Sequence, residues 1–133
     1  MRRFTSSGPL LLLLAAVLLP ILTSQTVRAG DSTTIKGWIS DETCASGRAN
    51  GGIFTGTNPE CAKKCITSGA KTVLIVPDQK VLLTIDNPAA AKENIGNFVE
   101  VTGNVDAKTK AVHIVNLKLL TKGVAMCGLP AKK

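Results

Sequence analysis

Residues 71–105 read KTVLIVPDQKVLLTIDNPAAAKENIGNFVEVTGNV, and the order of elements in this stretch sets the fold class. Lys71–Val76 and Lys80–Ile85 are two apolar runs rich in β-branched residues, which is strand composition. Pro77-Asp78-Gln79 between them has turn chemistry, so the two runs are predicted to form a hairpin. Asn87-Pro88 then opens a short helix, Ala89–Asn94, because proline suits the first helical position; Gly96 ends it. Asn97–Val105 follows as a fourth strand, Asp106–Lys110 as a polar turn, and Ala111–Leu120 as a fifth strand.

Working outward, Thr33–Ser40 alternates Ile35, Gly37 and Ile39 against Thr34, Lys36 and Trp38, and reads as the first strand. Asp41–Thr57 is predicted to be a long loop, since it holds Gly47, Asn50, Gly51, Gly52 and Gly56. Asn58-Pro59-Glu60 has the signature of a helix start: an N-cap acceptor, a proline at the first position and an acid at the positive helix end. Gly69 supplies the stop, so this helix is about three turns at most, with Cys61, Ala62, Cys65 and Ile66 on its inner face. The tail from Lys122, with Gly123, Gly128 and Pro130, reads as irregular. The expected architecture is mainly β. Five strands, with a helix between the third and fourth and an extra short helix between the first and second, follow the order of an OB-fold barrel. Closing the sheet removes exposed edges, which suits a small β domain. The competing reading is an open α+β sheet with one helical face.

The N-terminus points to export. Arg2 and Arg3 form a short positive region, Leu10–Leu22 an apolar run broken by Pro20, and Val27-Arg28-Ala29 a cleavage site. The run is shorter than the about 20 apolar residues of a membrane span. Cleavage after Ala29 is expected, with an uncleaved anchor as the alternative. Arg2-Arg3-Phe4 has only the arginine pair of a twin-arginine signal. The expected product is residues 30–133, one domain with one core, periplasmic or secreted, and with no membrane span. The leader carries Arg2, Arg3 and Arg28 and no acid, so the formal net charge drops by three, from +7 to +4. The basic residues left are scattered, and Trp38, Phe54 and Phe98 are the only aromatics after the leader. An oligonucleotide platform needs a basic groove and stacked rings, so nucleic acid is not the expected partner. Trp38 and Phe98 are core candidates, and Phe54 either plugs the barrel end or forms an exposed contact.

Gly37-Trp38-Ile39-Ser40-Asp41, Cys44, Glu60-Cys61-Ala62-Lys63-Lys64-Cys65, Gly69-Ala70-Lys71 and Val99-Glu100-Val101-Thr102-Gly103-Asn104-Val105 together make a recognisable pattern. It resembles a group of small exported bacterial proteins of uncharacterised function, similar in outline to OB-fold barrels. The resemblance runs from about Gly37 to Leu119. It implies a fold and a compartment, and brings no reaction with it. Relatives carry a His soon after the first Cys, whereas Cys44-Ala45-Ser46-Gly47-Arg48 has none.

Four cysteines, Cys44, Cys61, Cys65 and Cys127, follow the leader. In an oxidising compartment they are expected to form disulfides, with three connectivities open. A bridge from Cys44 to Cys61 or Cys65 closes about 17–21 residues and contributes about 3 kcal/mol by restricting the unfolded chain. Cys127 then pins the tail to the remaining helical Cys. The alternative is a thiolate metal site from Cys44, Cys61 and Cys65, with Cys127 or His113 as fourth ligand, suited to zinc or copper. A redox pair Cys61/Cys65 is a third reading, with Lys63, Lys64 and the helix N-terminus lowering a thiol pKa. Its spacing is one residue longer than Cys-x-x-Cys. His113 is the single histidine, so no histidine-paired dyad can form, and no nucleophile elbow, phosphate loop or zinc-protease helix is present.

The expected function is therefore that of a small non-enzymatic binding or accessory module of the cell envelope, stapled by disulfides and acting on a protein or small-molecule ligand. Its expected contact surface is the loop Asp41–Thr57, with Asp41, Glu42, Arg48 and Phe54, together with the face of the helix that begins at Asn58-Pro59. The alternative is an exported thiolate metal-binding or thiol-redox protein built on Cys44, Cys61 and Cys65.

Overall fold

The structure, a computed structural model, describes residues 32–124. The expected leader, its cleavage site and Cys127 lie outside the described residues. The elements run β1 (Thr33–Asp41), α1 (Glu42–Asn50), α2 (Pro59–Thr67), β2 (Thr72–Val76), β3 (Val81–Ile85), a 3-10 helix (Pro88–Asn94), β4 (Phe98–Asp106) and β5 (Ala111–Thr121). No helix among the described residues is long and apolar enough to cross a membrane.

The five strands form one mixed sheet that closes on itself in a ring, in the order β1-β2-β3-β5-β4. The open-sheet alternative is corrected by β1, which pairs antiparallel with β2 along one edge and with β4 along the other. The ring is completed where β3 meets β5 in parallel, over the short register Thr84↔Ala111 and Ile85↔Val112. The β2–β3 hairpin forms as its turn residues predict, with Lys80 N–H donating to the Pro77 carbonyl at 3.2 Å. Lys80 belongs to this turn and not to the strand, at a φ of 53°.

Alternation along the strands fills the ring. Ile35 and Ile39 of β1, Leu74 and Val76 of β2, Leu83 and Ile85 of β3, Val99 and Val101 of β4, and Val112 and Ile114 of β5 pack as one buried cluster, joined by Ala91. All five residues of β2 are buried, because its second face is covered too. There Val73 and Ile75 pack with Ala45 of α1, and Trp38, Phe54 and Leu82 close around them. Strands buried on both faces read as continuous apolar runs, which is what residues 73–76 are.

Two expectations are corrected here. Residues 42–50 are not loop but the helix α1. Asp41 is its N-cap, accepting from Cys44 N–H at 2.9 Å, and Arg48 sits in its last turn, where a cation suits the negative helix end. That cap outweighs Gly47, whose position is open space. Of the two core candidates, Trp38 packs against the second buried cluster, on the outer face of the ring. Trp38 and Phe98 are half-buried and meet each other, with ring centroids 5.1 Å apart. Phe54 neither plugs the ring nor stands free, but packs under α1.

Candidate functional site

Three elements converge at the end of β1. β1 delivers Asp41, where its pairing with Thr72 of β2 and the bond from Glu42 N–H to the Lys71 carbonyl (2.9 Å) fix the backbone. The first turn of α1 delivers Cys44. α2 delivers Cys65. This helix starts as its sequence dictates: Asn58 accepts from the N–H groups of Glu60 and Cys61, and Pro59 occupies the first position. It ends at Ser68, just before Gly69, whose φ of +102° is the left-handed conformation that glycine permits. The floor next to this corner is polar but satisfied, since the buried Ser40 and Thr57 hydroxyls share a hydrogen bond of 2.8 Å.

One ligand atom each from Asp41, Cys44 and Cys65 lies within 4.8 Å of the others. Asp41 is fully buried, at 0 % exposure, while Cys44 and Cys65 are partly exposed. The Asp41 carboxylate uses one oxygen, Oδ2, to cap α1. The other, Oδ1, is buried without a hydrogen-bond partner, and no other buried side-chain polar atom of the described residues shares that state. An unpaired buried acceptor costs about 1–3 kcal/mol, and more when charged. The electrostatics agree with the crowding. Burial first, then the neighbouring Asp41 carboxylate and then Cys65, push the Cys44 thiol from its ordinary value of 9.0 up to about 11. A thiol held protonated is a weak nucleophile at neutral pH.

The sequence-predicted residues divide sharply. Cys44 and Cys65 come together; Cys61 does not join them, being exposed on the outer side of α2. The inner stripe of α2 is Ala62, Cys65 and Ile66, and the expectation that Cys61 shares it is corrected. No disulfide joins any two of the three described cysteines. His113, offered as a fourth ligand, sits on β5 with its Nδ1 2.8 Å from Asp86 Oδ1, and is not in the cluster. Of the expected contact surface, Glu42 is exposed. Arg48 donates to the Thr55 carbonyl, Phe54 is packed, and Asp41 is buried rather than solvated. A groove of about 540 Å³ between α2 and the 3-10 helix is lined by Lys63, Ile66, Thr72, Lys92 and Ile95, and contains none of the three cluster residues.

Asp41, expected only as part of the contact loop, is placed by the structure beside the thiols Cys44 and Cys65. Its signal was the spacing Asp41-x-x-Cys44, that of a helix cap, which brings the acid and the thiol together in one turn. Comparison of the chain with models of protein families, with curated proteins and with solved structures found no match.

Proposed function

We propose that this chain is a small exported, non-enzymatic binding module of OB-like barrel fold, whose working centre is the thiol corner of Asp41, Cys44 and Cys65. One observation carries the reading. The only buried polar side-chain atom without a partner among the described residues, Asp41 Oδ1, lies on the carboxylate that faces two free thiols. A group that only capped a helix would gain by reaching water with its second oxygen. Support for the barrel is the closed strand order with the 3-10 helix between β3 and β4. Support for export is the apolar run after Arg2-Arg3 and the Val27-Arg28-Ala29 site.

In this proposal the disulfide staple pairs Cys61 with Cys127, which lies outside the described residues. Gly123 N–H donates to Asn97 Oδ1 at 3.0 Å, and a Cβ at Gly123 would collide with the Gly96 carbonyl and stand 3.0 Å from Pro59 Cγ. The tail therefore leaves the ring beside Pro59, two positions before the exposed Cys61. The two thiols lose two hydrogens to a disulfide donor by exchange. This leaves Cys44 and Cys65 as the reduced pair.

The test is the intact mass of protein recovered from the exported fraction, alkylated in denaturant before any reduction and then mapped. The expected result is a chain starting after Ala29, labelled at Cys44 and Cys65 and protected at Cys61 and Cys127. A second reading, a Cys44–Cys65 staple, draws on the proximity of those two sulfurs; protection of both would establish it and overturn the thiol corner.

A further inference from the structure

We propose that Asp41, Cys44 and Cys65 form a binding site for a thiophilic divalent cation, zinc above all, with a fourth coordination position left open. This rests on the reading that Cys44 and Cys65 stay reduced.

The geometry is close to what such an ion needs. Zinc binds sulfur at about 2.3 Å and carboxylate oxygen at about 2.0–2.2 Å, so tetrahedral ligand atoms stand roughly 3.5 Å apart. Here the three atoms already lie within 4.8 Å of one another, on three separate elements held by strand pairing and two helix caps. The independent observation is Asp41 itself: fully buried, with Oδ1 unpartnered on a carboxylate that has an oxygen within 4.8 Å of both sulfurs. A cation supplies the missing partner. The Cys44 N–H on Oδ2 plays the orienting role that second-shell donors have for metal-bound carboxylates. The donor set also selects the ion. Two soft thiolates with one hard carboxylate suit a borderline ion; a purely soft ion such as cuprous copper makes no use of the carboxylate.

Binding is an exchange without net redox change. Two S–H protons pass to buffer, two metal–sulfur bonds and one metal–oxygen bond form, and the ion gives up hydration waters for them. The position left over keeps a water or accepts a donor atom from a partner.

The experiment is a zinc titration of the full mature chain against a chromophoric chelator, with native mass spectrometry of the same sample and a count of its free thiols. We expect one zinc per chain, removed by EDTA, with proton release on loading. Cys44→Ser and Cys65→Ser should each weaken binding at least a hundredfold, and Asp41→Asn about tenfold or more. The double variant Cys61→Ser/Cys127→Ser should bind as the parent does. Circular dichroism checks that each variant folds, and the sulfur-to-metal charge-transfer band of cadmium-loaded parent protein reads thiolate ligation without any substitution. Absence of zinc and of that band in protein whose Cys44 and Cys65 are free overturns this inference and leaves the thiol corner standing. Equal zinc affinity in parent and Asp41→Asn overturns the three-ligand set. Cys44 and Cys65 found joined to each other overturn the underlying reading instead.

Discussion

The interior of the ring and the corner outside its β1 end are built by opposite rules. Inside, apolar side chains from all five strands pack together. At the corner, a carboxylate with one orphaned oxygen is buried beside two thiols. The first arrangement is what stability alone produces. The second costs stability, so it is where a function outside the fold's own needs is to be sought. The comparison also separates two kinds of buried polar group. Ser40 and Thr57 are as buried as the core, yet they satisfy each other and ask for nothing.

The difference is open to attack at several points. The largest effect belongs to the ring. Leu74 is fully buried in the main cluster, and Leu74→Ala should cost about 2–5 kcal/mol in denaturant unfolding. A loss under about 1 kcal/mol would mean that the interior is loosely packed and the contrast with the corner is weak. At the corner the sign should reverse. Asp41→Asn keeps an acceptor for the Cys44 N–H, places an amide donor beside the sulfurs and removes the charge. Metal-free protein should therefore gain roughly 1 kcal/mol, while zinc binding falls. If the metal-free variant is instead destabilised, the carboxylate serves the fold.

The Cys44 thiol gives a pH test. Its pKa is raised in the folded chain, so the folded state holds this proton more tightly than the unfolded one. The resulting stability is complete below about pH 9 and is lost as pH rises toward about 11. In native metal-free protein at pH 8, Cys44 should react with iodoacetamide at least tenfold more slowly than the same residue in denaturant. Equal rates would show that burial and Asp41 do not hold the thiol protonated. The smallest effect is expected at the half-buried ring pair: Phe98→Leu removes the ring contact with Trp38 and should cost about 0.5–1.5 kcal/mol beyond lost area.

Most of the fold is written in local patterns, and part of the corner is not. The five strands follow from alternation and β-branched composition, with limits within a residue or two of those expected, and Asn58-Pro59 marks the start of α2. α1 escapes because its glycine and asparagine content reads as loop, while the cap that forms it is a single residue, Asp41, counted with that loop. Cys44 and Cys65 stand out as chemistry by residue type alone. Asp41 does not, because its burial is created only when α1 and α2 close over the end of β1. Cys61 is over-read for the converse reason: a spacing of four puts it near Cys65 along the helix, but the face turned inward is set by Ala62, Cys65 and Ile66.

The measurement that bears most directly on the central claim is zinc K-edge X-ray absorption of the zinc-loaded mature chain. The account predicts two sulfur scatterers at about 2.3 Å with oxygen at about 2.0 Å. A shell of oxygen and nitrogen alone, or one of three or four sulfurs, would contradict it, since the first leaves the thiols out and the second brings in Cys61 or Cys127.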